Sequence, residues 1–123
     1  MLRVTKEQFE AFSKQLLKSF EDRMVGHLWE FFPNRCKKIG DEQVRNTVHQ
    51  GISRAASHGF VSERHVARYI DVMFFLGLDF DTSHESPWVA NILARHNLTQ
   101  EEKLQRLHDR ALAELGREED LKT

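Results

Sequence analysis

Apolar residues recur at steps of three and four through the start of the chain: Phe9, Phe12, Leu16, Phe20, Met24, Leu28 and Phe31. That period keeps one side of a helix apolar over roughly 6–32. Thr5 with Gln8 forms a capping box at its start, and Pro33 ends it. Such a helix would be about 40 Å long. Val25, Trp29 and Phe32 fall on a second side near its end, so that end needs cover on two faces.

The pattern then shortens. "FPNRCKKIG" reads as a turn or a single helical turn stopped by Gly40. Asp41 opens a helix over 41–58 whose narrow stripe is Val44, Val48, Gly51, Ile52 and Ala55. A glycine inside that stripe costs about 1 kcal/mol against alanine, so close approach of another helix is its expected use. Ser62 caps a third helix, 63–76, with Val66, Tyr69, Ile70, Met73 and Phe74 on one face. Val72, Phe75 and Leu76 make its last turns apolar all round, which predicts a central place. "LDFDTSHES" reads as a loop, and Pro87 starts a short helix, 87–96, at the position where its missing N–H costs nothing. Thr99 with Glu102 is a second capping box, opening a helix over 100–115 that carries Leu104, Leu107, Ala111, Leu112 and Leu115. Residues 116–123 read as a frayed tail. The expectation is an all-α chain, one domain over 1–123, folded as a compact bundle of about five helices with a long first helix.

Composition narrows the function classes. At 123 residues, 40% hydrophobic and 30% charged, the chain suits one globular domain with a charged surface. A net charge of −1 gives no global field toward nucleic acid or anionic lipid. The single cysteine, Cys36, cannot form an internal disulfide and fits a reducing compartment. The first residues lack the apolar core of a signal peptide, and no apolar run is long enough to span a bilayer. A cytoplasmic protein without a membrane segment is expected.

Candidate chemistry is thin. Asp71 stands before the densest apolar run of the chain, and Arg68, three residues earlier, is its expected partner in a structural ion pair. Asp79, Asp81 and Ser83 alternate as in a calcium loop. His84 stands where glycine is needed and Ala90 where a bidentate glutamate belongs, so calcium is not expected. The seven histidines include no HExxH pattern. His27 and His108 sit inside apolar stripes and read as core residues. Arg35, Lys37 and Lys38 flank Cys36 and would lower its thiol pKa, but no Cys–His–Asn arrangement surrounds it. Those cations and Arg45 form the only local basic cluster, which Arg64 and Arg68 could join in space. The helix at 63–76 spends its surface on Val72, Phe75 and Leu76, against a base-reading role. No catalytic residue, cofactor or metal site is expected.

What remains is a binding surface. Phe80, Asp81 and Trp88 place aromatic residues beside an acid in the loop and short helix, and Trp29 and Phe32 lie outside the main stripe. These residues are the expected partner contacts. A homodimer through the two-sided end of the first helix would be a second way to use the same apolar surface.

Several motifs carry a family resemblance: "DRMV" at 22–25, "FP" at 32–33, the glycine- and alanine-bearing run from Gly51 to Gly59, "ERHVARYIDVMF" at 63–74, and "DFD" followed by "PW" within 79–88. Over about residues 10–112 the chain resembles short bacterial proteins encoded near type VI secretion effectors, beside spike-tip and effector-chaperone genes. The resemblance implies a non-enzymatic accessory protein, an adaptor or co-chaperone whose partner is an effector or a spike-associated protein. An immunity protein neutralising a cognate toxin is the alternative. A small enzyme using Asp71 with a histidine, or a DNA-binding helical domain, is a more distant one.

Overall fold

The computed structural model describes residues 6–77, 80 and 87–122. Among them it has six helices: α1 (Lys6–Phe31), α2 (Pro33–Ile39), α3 (Asp41–Ser57), α4 (Glu63–Leu76), α5 (Pro87–Leu93) and α6 (Gln100–Lys122). The all-α expectation holds. The count of five does not, because "PNRCKKI" forms a helix of its own. The proline that stops α1 starts α2: without an N–H it cannot continue the first helix, yet it fits the first turn of the next. Phe32 joins the two, donating its N–H to the Leu28 carbonyl (2.7 Å) and accepting from Cys36 N–H (3.0 Å). Gly40, at φ 88°, then serves both α2 and α3. Its N–H donates to the Cys36 carbonyl (2.8 Å), and its own carbonyl accepts from Val44 N–H (2.9 Å).

At the far end α5 stops at Leu93 rather than 96, and α6 runs to Lys122 rather than ending at 115. Gly116 opens the segment read from the sequence as a frayed tail. A helix tolerates one interior glycine at about 1 kcal/mol, and the Arg, Glu, Leu and Lys that follow are strong helix formers.

The chain divides into two compact units, Met1–Val48 and His49–Thr123. In the first unit Phe20, Met24, Val25, Leu28, Cys36, Val44 and Val48 are buried. Leu16 and Phe31, both placed on the α1 stripe by the sequence, are instead 49% and 62% exposed. Charged groups tie α1 to the start of α3. Arg45 Nη1 donates to Asp22 (2.9 Å) and lies 3.9 Å from Glu21, a carboxylate only 5% exposed. Burial also changes Cys36. Desolvation first, then the negative charge of Asp41, pushes its thiol pKa up, the reverse of the effect expected from its basic neighbours.

The second unit is built around α4 and α6. Ser62 Oγ accepts from His65 N–H (3.2 Å), capping α4 as its position in the sequence predicts. Thr99 and Glu102 close their capping box reciprocally at 3.1 and 3.3 Å. Val66, Tyr69, Ile70, Val72, Met73 and Phe74 of α4 are buried, with Leu104, Leu107 and Ala111 of α6. Tyr69 centres an aromatic cluster, 5.9 Å from Phe60 and 5.1 Å from Phe80 between ring centroids. Gly51 serves the close approach its place in the stripe suggested. A Cβ there would lie 2.5 Å from Ile70 Cγ1 and 3.1 Å from Met73 Sδ.

Candidate functional site

Helix α6 is amphipathic, and its two sides have different fates. Leu104, Leu107 and Ala111 lie on the buried side. Arg106, Asp109, Arg110 and Ala113, at offsets of zero, three, four and seven, lie on the other. The α5 segment repeats those offsets with Trp88, Asn91, Ile92 and Arg95. The two rows line a groove of about 490 Å³ in the second unit. Pro87 fixes where α5 begins, and so sets Trp88 in its first turn on the groove side.

Trp88 is half-buried, and the guanidinium of Arg110 lies 5.2 Å from its ring centroid. That contact holds the indole against α6 and is worth about 0.5–1 kcal/mol at an exposed site. Arg110 also reaches Glu114 in its own helix (3.4 Å), and Asp109 accepts from Gln105 Nε2 (2.8 Å). Arg95 and Arg106 are different. Both are exposed, and among the described residues neither side chain engages in a hydrogen bond or an ion pair. The groove therefore has an apolar strip of Trp88, Ile92 and Ala113 edged by cations with unused donor capacity.

Around Glu101, in the same unit, the cations are engaged. On Glu101 of α6, Arg64 Nη2 donates to Oε1 (3.0 Å) and Arg68 Nη1 to the same oxygen (2.5 Å). A carboxylate has no proton to give, so His65 Nε2 is the donor to Oε2 (2.9 Å). The His65 hydrogen bond first, then the charges of Arg64 and Arg68, hold the Glu101 carboxyl below the usual glutamate range. Arg68 Nη2 adds a bond to Gln105 (2.8 Å). The guanidinium expected to serve Asp71 within its own helix thus reaches across to α6, and Asp71 itself is half-buried.

The chain was compared with protein-family models, with curated proteins and with solved structures, and it matches none of them. The likeness to secretion-associated proteins thus has only the motifs of this chain behind it.

The expected contact residues separate. Phe80 is 2% exposed and packs on Tyr69, so it belongs to the core and leaves the binding surface. Asp81 lies outside the described residues, as do Thr5, Asp79, Ser83 and His84, and the side chains of Gln8, Phe9, Phe12 and Leu115. Trp29 is half-buried and its indole N–H donates to Asp41 (3.2 Å), which ties α1 to α3. Phe32, also half-buried, is the junction of α1 and α2. Trp88 lines the groove, with uncommitted charge beside it. His27 lies tilted against Phe31 of its own helix (4.7 Å between ring centroids), and His108 meets Phe75 of α4 edge to face (5.7 Å). Among the described residues no three His, Cys, Asp or Glu side chains stand close enough to hold a metal, and no helix is long and apolar enough to cross a membrane.

The sequence reading missed Arg95, Arg106 and Arg110. It placed the only basic cluster around Cys36, with Arg45, Arg64 and Arg68 as associates. Those three arginines are engaged by carboxylates, while a second cluster assembles from α6 and the end of α5. The repeated offsets were the available signal. A charged helix face is ordinarily just solvated, and only the placing of Trp88 next to it distinguishes this one.

Proposed function

We propose that this chain is a non-enzymatic protein–protein interaction module, acting in the cytoplasm as an adaptor or co-chaperone for a type VI secretion effector or a spike-associated protein. The observation that carries the reading is the groove at Trp88: an aromatic anchor half-open to solvent, with exposed arginines on either wall. Tryptophan and arginine are the residues on which binding energy concentrates at protein interfaces. The motif that ends in "PW" and contributes to the secretion resemblance ends on this same tryptophan.

Deleting the gene in its native host tests the reading. Delivery of the effector encoded nearby falls, protection against that effector is unchanged, and the wild-type gene restores delivery where a Trp88→Ala copy does not. Lost protection with intact delivery would overturn the adaptor reading in favour of toxin neutralisation.

A further inference from the structure

We infer that the groove between α5 and α6 takes an acidic peptide segment of the partner, with carboxylates on Arg95 and Arg106 and an apolar side chain on the strip of Trp88 and Ile92. The inference rests on the interaction reading above and names the chemistry of what is bound.

Charge sets the class of occupant. The chain carries a net charge of −1, whereas the groove is lined by three arginines and one aspartate. Around α4 the balance is explicit: Arg64 and Arg68 share Glu101. Arg95 and Arg106 face the groove without such a carboxylate. A planar guanidinium offers paired N–H donors that match a carboxylate in a bidentate fork. An incoming Asp or Glu would supply to Arg106 what Glu101 supplies to Arg68.

The rest of the lining favours peptide over nucleic acid. Asp109 puts a negative charge in the wall, unfavourable to a continuous row of phosphates. A peptide can set isolated carboxylates against the arginines and keep clear of Asp109. The strip of Trp88, Ile92 and Ala113 gains from burying an aliphatic or aromatic side chain, and Arg110 already holds the indole in place. A pre-positioned anchor lowers the entropy cost of binding.

The test uses the full chain and a library of random short peptides, selected in parallel on the wild type and on Arg95→Glu/Arg106→Glu. Circular dichroism confirms that the variant is folded. Selection on the wild type should enrich peptides with Asp or Glu next to an aliphatic or aromatic residue, and the variant should not enrich them. By fluorescence anisotropy the best such peptide should bind the variant at least about tenfold more weakly. Arg95→Lys/Arg106→Lys, which keeps the charge and loses the fork, should bind more weakly than the wild type but more tightly than Arg95→Gln/Arg106→Gln, which should lose the binding. Enrichment of neutral or basic sequences, equal enrichment on the variant, no enrichment, or displacement of the peptide by single-stranded DNA or inorganic phosphate at lower concentration than by unlabelled peptide would each overturn the inference.

Capture from the native host, using the same two proteins as bait, separates the two claims. A partner retained equally by both baits leaves the interaction reading standing and removes the groove from it. Acidic peptides selected in vitro, with no stoichiometric partner in the host, would keep the groove chemistry and remove the adaptor role.

Discussion

The two sides of α6 use the same kinds of residue to opposite ends. Toward α4, arginines meet a carboxylate, and leucines are excluded from water. Toward α5, Arg110 meets only Glu114 of its own helix, the side chains of Arg95 and Arg106 meet no carboxylate among the described residues, and a tryptophan is left half-open. A charged residue with its partner in the same fold contributes to holding that fold together. One whose partner is missing contributes little to stability and keeps its donors for something else. The difference separates residues that keep the protein folded from residues available for binding.

Mutation should reproduce the difference, and the largest effect lies on the closed side. Leu107→Ala should cost about 2–5 kcal/mol in urea unfolding, since it opens a cavity at a fully buried position. A loss of under about 1 kcal/mol would mean that the α6 stripe is not the core of its unit.

Gly51→Ala tests the closeness of packing at α4. Overpacking against Ile70 and Met73 costs about 1–3 kcal/mol, and about 1 kcal/mol returns through helix propensity. The expected net is a destabilisation of about 1 kcal/mol. A stabilised variant would show that α3 and α4 relax apart.

Trp88→Ala should cost only about 1 kcal/mol, mostly the loss of its contact with Arg110, whereas its effect on partner binding should be large. Unfolding by this substitution would return Trp88 to the core, beside Phe80.

Glu101→Gln should lower the unfolding midpoint slightly, with a definite pH signature. The folded-state pKa of Glu101 lies below its unfolded value. The unfolded chain therefore takes up the proton first, and the stabilisation is present above the ordinary glutamate range and lost as pH falls through the lowered value. The gap between wild type and variant should be full at neutral pH and close on acidification below about pH 4. A gap that widens in acid would contradict the arrangement. Added salt should narrow it, because the carboxylate is half-exposed.

Smallest of all, Arg95→Gln/Arg106→Gln should leave stability within about 0.5 kcal/mol of wild type. A larger loss would mean that these arginines are engaged in the fold after all.

Local signals in the sequence were reliable at the starts of α4 and α6, where the deciding atoms are close along the chain. Ser62 and His65, Thr99 and Glu102, and the bounds of α4 follow from spacing alone. Pro33 was read for one of its two effects, so α2 was read as no more than a turn or a single helical turn. Residues 116–123 were read as a frayed tail although most of them favour helix. Phe80 and Trp88 have similar local surroundings, and only the fold sends one onto Tyr69 and the other into the groove. Arg110 is in a different helix from Trp88, and the use of Arg68 depends on Glu101, also distant in sequence. Trp29 looked like a surface anchor until Asp41, across α2, took its N–H. The candidate site was legible as one tryptophan. Its charged walls required the tertiary structure.

The two tryptophans make the central claim directly measurable. Each indole N–H gives its own signal in a nitrogen–proton correlation spectrum, assigned with Trp29→Phe and Trp88→Phe. Titration with an acidic peptide selected on the wild type should shift the Trp88 indole and the amides around Arg95 and Arg106, while the Trp29 indole, donated to Asp41, stays in place. A shift confined to Trp29 and the α1–α3 region, with Trp88 unmoved, would place binding elsewhere and contradict the account.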